Sequence, residues 1–260
     1  MITSRDNARV KRWAKLVRDG SFRRRERCAI LEGPHLVSEM FHAGVRPAAL
    51  MVSASGLRRD EIQQLVGKHE VTVLADPVFK AIADTDSPSG IAAEIAIPRG
   101  NPQDGRHAVF LEGVQDPSNV GAIVRTAAAF GAGEVVLDRA CADAWSPKAL
   151  RAGMGGHFRL AVRIAERLAD ELKAFDGTLL CTVPSEGLPL RQAPLEGRLG
   201  WIFGSEGHGV SRGVAELAAV HISIPMSDSE SLNVAAAAAI CLYEAFNRPG
   251  ARSAARAGSS

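Results

Sequence analysis

Three times after residue 107 of this chain an apolar, strand-like run breaks into small, amide and hydroxyl residues where a helix begins. That recurrence restricts the fold to an α/β architecture with parallel crossovers, because only there do successive strands end beside helix starts. Ala108 to Val114 reads as a buried strand, and Val120 to Phe130 as a closely packed helix that Asn119 caps and Gly131 ends. Glu134 to Asp138 then reads as the next strand, completing a strand–helix–strand unit. Leu199 to Phe203 is a second strand, followed by Gly204-Ser-Glu206-Gly207-His208-Gly209 and a helix opening at Ser211. The third is His221 to Ile224, stopped by Pro225 and followed by a helix from Leu232 to Phe246, with Ser227 and Glu230 spaced as a capping box.

Each segment has a plain structural reading and a ligand-binding one. Free amides at a helix start favour anionic or polar ligand atoms. Arg125 has no carboxylate three or four residues further on to hold it, and a guanidinium can grip a phosphate or carboxylate with two hydrogen bonds. Glycines after Phe203 let a ligand approach the main chain, but their spacing fits neither a P-loop nor a dinucleotide fingerprint, which counts against an oxidoreductase. The run Ala235 to Ala239 has little side chain to bury, so something must lie close to that helix's backbone, either another helix or a ligand.

Charge divides the chain unevenly. The net charge is +2, yet residues 1–27 hold ten Lys or Arg against three Asp or Glu, a net of +7 that leaves about −5 for the rest. Ser4 to Asp19 reads as a helix with Val10, Trp13, Leu16 and Val17 on one side, followed by Gly20 and the cluster Arg23-Arg24-Arg25. Arg9, Arg12, Arg23, Arg24 and Arg25 are the candidate contacts to RNA phosphates. A merely solvated basic helix is the alternative.

Residues 28–97 alternate short strands and helices as a compact α/β unit, and residues 98–106 have a linker's composition. Residues 107–250 would form the second domain and 251–260 a frayed tail. With 46% apolar residues, no apolar leader in Met1 to Arg27 and no membrane-length run, the expectation is a cytoplasmic enzyme. Cys28, Cys141, Cys181 and Cys241 are widely spaced, which predicts buried free thiols and no metal site.

Taken together, the three segments resemble the signature motifs of the SpoU/TrmH family of RNA ribose 2'-O-methyltransferases, in the SPOUT class. Asn119 and Arg125 match the first motif, Gly204-Ser-Glu206-Gly the second, and Ile224-Pro-Met226 with Ser231-Leu232-Asn233 the third. Ser146 to Leu160 is similar to the family's connecting helix and strand, and Glu32-Gly33 with Leu36-Val37 and Glu39 to the opening of a small L30e-like substrate-binding domain. The resemblance implies a SPOUT-type α/β domain with a C-terminal trefoil knot, preceded by that L30e-like α/β domain, whereas pattern alone implies an unknotted Rossmann-like sheet.

On the same resemblance, S-adenosyl-L-methionine is the cofactor, held by Phe203, Gly204, Gly207, Ile224, Met226 and Leu232. Arg125, Asn119, Glu206, Ser231 and Asn233 would surround the reacting ribose, the protein would be a homodimer, and its substrate would be RNA, with 23S rRNA preferred over tRNA. Arg125 stays protonated in ordinary settings and is assigned orientation and charge stabilisation. Two departures bear on substrate contact: Ala235 stands where relatives carry Ser or Thr, and residues 226–231 lack a glycine. Alternatives are a tRNA ribose methyltransferase, methylation of a base, and a non-catalytic RNA-binding or ribosome-assembly factor on the same scaffold.

Overall fold

A computed structural model describes residues 1–100, 106–227 and 232–248. They divide into two compact units, Met1–Pro98 together with Trp145–Phe158, and Arg99–Ala144 together with the chain from Arg159 onward. The segment Trp145–Phe158, which the sequence places in the second domain, therefore belongs to the first unit. Most of the expected linker and the whole expected tail lie outside the described residues.

The first unit opens with α1 (Ala8–Arg18), capped by Asn7, whose side chain accepts from the Arg9 N–H at 2.9 Å. Val10, Trp13, Leu16 and Val17 are buried along one face, as their spacing requires. The arginine cluster is not a loop: Asp19 accepts from the Phe22 N–H at 3.0 Å and starts α2 (Gly20–Glu26).

This helix corrects part of the expected RNA surface. Arg23 is buried at 5% exposure, and its guanidinium donates to the Leu16 and Val17 carbonyls at 2.6 and 2.8 Å, satisfying acceptors that the end of α1 leaves open. Arg12 is half-buried and paired with Glu94, which also accepts from the Trp13 indole N–H at 2.7 Å. Only Arg9, Arg24 and Arg25 remain exposed. Arg23→Gln is accordingly expected to lower stability by about 1–3 kcal/mol in urea denaturation, since buried carbonyls lose a charged donor. RNA affinity of the folded protein should change little.

After α2 come β1 (Cys28–Glu32), α3 (Pro34–His42), β2 (Ala49–Ser53), α4 (Asp60–Val66), β3 (Thr72–Leu74), α5 (Asp76–Ala81) and β4 (Ile91–Ala96). The sheet order is β1-β4-β2-β3, antiparallel except for the β2–β3 pair. Trp13, Leu16, Ile30, Met51, Leu74 and Phe79 share one core, so the basic N-terminal helix is fastened by its apolar face.

The second unit is built on β5 (Ala108–Leu111), α6 (Pro117–Ala129), β6 (Glu134–Leu137), β7 (Ala161–Ile164), α8 (Leu168–Ala174), β8 (Thr178–Thr182), β9 (Leu188–Pro189), β10 (Leu199–Phe203), α9 (Arg212–Ala215), β11 (Val220–Ser223) and α10 (Val234–Phe246), while α7 (Pro147–Gly153) belongs to the first unit. Seven strands pair in the order β7-β6-β5-β10-β8-β11-β9, every pair parallel. The β5–α6–β6 crossover is the one read from the sequence. β10 is inserted between β5 and β8, and the chain then passes beyond β8 to form β11.

α10 packs on α6, with Val234, Ala238, Cys241, Leu242 and Ala245 buried on one side and Val120, Gly121, Val124 and Ala127 on the other. Of the run Ala235–Ala239 only Ala238 is buried, so close helix packing accounts for part of it, and Phe130 stands at the end of the pair against Tyr243 and Phe246. All four cysteines are free, but only Cys181 and Cys241 are buried; Cys28, at the start of β1, and Cys141, in the connection between β6 and α7, are half-buried.

Candidate active site

The first segment departs from its expected cap. α6 begins at Pro117, and Asp116 is the N-cap, its carboxylate accepting from the Ser118 N–H at 2.8 Å. Proline at the first helical position needs no hydrogen-bond partner, and that moves the cap three residues upstream of Asn119. Asn119, released from capping, points its amide at other segments. Its Nδ2 donates to the Glu206 carboxylate, and its Oδ1 accepts from Asn233 Nδ2 at 3.0 Å.

The second segment turns back on itself after β10. Ser205 and Gly209 exchange main-chain hydrogen bonds of 3.1 and 2.9 Å, and the His208 N–H donates to the Ser205 hydroxyl at 3.2 Å, leaving His208 an exposed turn residue. This return leaves Gly204 no room: a Cβ there would lie 2.0 Å from the Gly209 carbonyl carbon and 2.2 Å from Val210 N. The glycine is therefore required by the loop's own main chain. Glu112, just after β5, fixes the far end of the loop, accepting from the Ser211 N–H and hydroxyl at 2.7 Å each.

In the third segment the helix cap is Asn233, not Ser227. Asn233 Oδ1 accepts from the N–H groups of Ala235 and Ala236 at 2.9 and 3.2 Å, so α10 starts at Val234. Ser231 and Glu230 lie outside the described residues. One polar chain consequently ties the segments together, from the α10 amides through Asn233 and Asn119 to the Glu206 carboxylate. No covalent or sequence proximity links these groups; the fold alone brings them together.

Beside that chain is a cavity of about 540 Å³, within the range of small-ligand sites. Phe203, Gly204, Gly207, Ile224, Met226 and Leu232, the six residues expected around the cofactor, all line it, together with Glu206. Its apolar walls also include Val183, Ile222 and Val234. The main-chain N–H groups of Gly207, Met226 and Leu232 have no partner among the described residues and are available to a ligand. The described lining holds one carboxylate and no Lys or Arg, so a ligand carrying positive charge meets no cation there.

Thr182, Val183 and Pro184, at the end of β8, also line the cavity and were not singled out by sequence. The signal that could have found them is position: ligands in open parallel sheets lie beyond the carboxyl ends of the strands. Arg125 is not brought to the cavity wall. It is exposed, has no hydrogen bond or ion pair among the described residues, and stands six residues from Asn119, roughly 240° around a helix of 3.6 residues per turn.

Thiol chemistry is muted in this unit. Burial pushes Cys141 and Cys241 up to about 12 and Cys181 to about 11, Glu112 adding to the last, so all three stay protonated at neutral pH. A thiolate nucleophile is not on offer there. Among the described residues, no group of His, Cys, Asp and Glu could hold a metal ion, and no helix is long and apolar enough to cross a membrane.

A parallel sheet whose glycine-rich turn lines a cavity beyond the strand ends defines an α/β ligand-binding domain, and the comparisons with known proteins make it a methyltransferase domain. The chain belongs to the SpoU rRNA Methylase family, which matches residues 106–243, and residues 7–93 match the MRM3-like substrate binding domain. It is 33% identical over 246 residues to the 23S rRNA (guanosine(2553)-2'-O)-methyltransferase RlmP of Bacillus subtilis, covering 93% of this chain and 97% of that protein. Among solved structures it is similar to an RNA 2'-O ribose methyltransferase, with TM-score 0.78, 29% identity and coverage of 94% and 97%. An AdoMet-bound rRNA methyltransferase from Sinorhizobium meliloti is also similar, with TM-score 0.79, 26% identity and coverage of 94% and 96%.

Proposed function

We propose that this chain transfers the methyl group of S-adenosyl-L-methionine to a ribose 2'-hydroxyl of 23S rRNA in the cytoplasm. The convergence of the second and third segments on one cavity, with Asn119 of the first joined to its rim at Glu206, carries this reading. The lining suits the cofactor, with apolar walls for its adenosine, open main-chain groups for its polar atoms, and no cation against its sulfonium. Bound there, S-adenosyl-L-methionine supplies an electrophilic methyl group.

The residues at the rim then have separable tasks. Asn119 and Asn233 hold one another through their amides and can orient a ribose hydroxyl, but neither amide accepts a proton. Glu206, joined to Asn119, is the carboxylate able to receive the hydroxyl proton as the new carbon–oxygen bond forms. Ser231 completes the set by its place in the third motif. Reactive groups held at contact distance supply much of the acceleration.

Homodimer formation belongs to the same reading. Ala236, Ile240 and Tyr243 lie exposed in a row on α10, with Ile240 at 40% and Tyr243 at 56%, an apolar stripe that a second copy would cover. Arg125, exposed on the adjoining α6, would then serve the cavity of the other copy, steadying the phosphate beside the acceptor ribose. Threading of the chain through a trefoil knot is likewise part of the reading, supported by the insertion of β10 between β5 and β8.

Incubation with deuteromethyl-labelled S-adenosyl-L-methionine and unmodified 23S rRNA, followed by digestion to nucleosides and mass spectrometry, tests the function. A labelled 2'-O-methyl nucleoside is expected. A labelled base instead would move the protein to base methylation, label appearing only with tRNA would change the substrate, and binding of RNA without transfer would make it a non-catalytic factor.

A further inference from the structure

The arginines that composition assigns to RNA are partly consumed in holding the first unit together, yet the same unit carries a larger cation-lined groove elsewhere. A groove of about 930 Å³ runs past the end of α3, the turn into β2, the end of α4 and the start of β3, with Arg9 of α1 on its side. Three features of it point to one kind of ligand.

First, two flat rings stand on its wall. Phe41 and His69 are stacked with centroids 4.5 Å apart and planes inclined by 15°, and His69 is exposed. An exposed stacked ring is a platform for a nucleobase of any identity. Second, its guanidiniums are not spent on carboxylates. Arg9 donates only to the Thr72 hydroxyl, at 3.1 Å, while its guanidinium carbon lies 4.9 Å from the centre of the Trp13 ring. Arg46, exposed in the turn before β2, has no hydrogen bond or ion pair among the described residues. Against these two the groove sets a single carboxylate, Glu70. Third, the wall is rigid. Just past the end of α3, Gly44 takes a left-handed φ of 69° and Val45 N–H bonds back to the Met40 carbonyl at 3.0 Å, so the turn carrying Arg46 is fixed to the helix carrying Phe41.

The geometry points to a binding site for unpaired RNA in this groove, with a base stacked on the His69–Phe41 pair and its flanking phosphates held by Arg9 and Arg46. The inference rests on the RNA substrate of the proposed function and adds which residues of the first unit grip single-stranded substrate. A duplex does not fit the chemistry, because its bases present no free face to a ring.

The test uses the full chain and a fluorescein-labelled hexauridylate, read by anisotropy at several salt concentrations, with a blunt RNA duplex as comparison. His69→Ala is expected to weaken hexauridylate binding by about five- to a hundredfold, the span that loss of one base stack produces. Arg46→Ala should lower the slope of log affinity against log salt by about one, the signature of one lost phosphate contact. S-adenosyl-L-methionine binding in the same variants, followed by calorimetry, separates this site from the other: its absence in every protein would remove the methyltransferase reading and leave the groove result standing. Unchanged hexauridylate affinity and salt slope in both variants would overturn the inference, as would equal losses for the duplex. So would retained RNA binding with loss of a protein partner, since the groove would then be a protein-docking surface.

Discussion

Gly204→Ala is expected to abolish measurable S-adenosyl-L-methionine binding, although the change adds a single methyl group. The added carbon would be placed 2.0 Å from the Gly209 carbonyl carbon and 2.2 Å from its oxygen, and both are main-chain atoms with no side-chain freedom to yield. The loop must open, and opening breaks the two Ser205–Gly209 hydrogen bonds that shape the cavity wall. Strain of about 1–3 kcal/mol is the usual result of forcing a methyl into packed structure. If half of that falls on the bound state alone, affinity falls about two- to twelvefold, because each 1.4 kcal/mol is a factor of ten. Displacement of Glu206 and Gly207 with the loop enlarges the loss. Gly207→Ala is the control, since a Cβ at that position meets nothing within 4 Å. Isothermal calorimetry should show no binding for the first variant and affinity within about threefold of the parent for the second. Equal behaviour of the two would mean that the loop does not form the cofactor wall.

A mixing experiment has the second large expected effect. In the homodimer reading, Arg125 works in the cavity of the other copy, so Arg125→Ala and Gly204→Ala should each abolish methyl transfer alone, for different reasons. Combined in equal amounts and allowed to exchange subunits, they should recover about a quarter of parental activity, because half of the dimers are mixed and each mixed dimer holds one complete site. The complete site takes its cavity from the Arg125→Ala chain and its arginine from the Gly204→Ala chain. An arginine that serves its own cavity predicts no recovery at all, and a monomer predicts none either. Sedimentation of the parent distinguishes these two cases. Ile240→Glu, placed in the exposed stripe of α10, should suppress recovery by preventing association, since a charge buried at an apolar interface is costly.

Sequence made the strand ends legible because they depend on local rules. Leu199–Phe203 ends where its apolar run ends, and glycine follows because main chain returns across it. Phe203, Gly204, Ile224 and Leu232 could be placed together only through the resemblance, since no periodicity records which turns of a sheet become neighbours. The asparagines show the limit of local reading. Asn119 and Asn233 are both amides at helix starts, yet only Asn233 caps; Asp116-Pro117 claims the earlier cap and frees Asn119 to reach Glu206.

Charge was the poorest guide. Arg23 and Arg24 are adjacent, and a helical register invisible to composition buries one against the carbonyls of α1 and exposes the other. The paired Arg12 and Glu94 are separated by most of the first unit, so nothing in the neighbourhood of Arg12 announces its carboxylate. The groove holding Arg46, Phe41 and His69 escaped notice for the same reason: its residues come from α3, the turn before β2, and the turn after α4. The grouping of Trp145–Phe158 with the first unit was also hidden, because a contiguous chain offers no composition shift where a segment leaves its neighbours.

Amide hydrogen exchange with and without S-adenosyl-L-methionine tests the convergence of the second and third segments on one cavity most directly. Slowed exchange is predicted over residues 203–210, 224–226 and 232–237 together, at one cofactor concentration dependence. Protection confined to one of these stretches, or centred in residues 1–98, would contradict a single cavity built from the second and third segments.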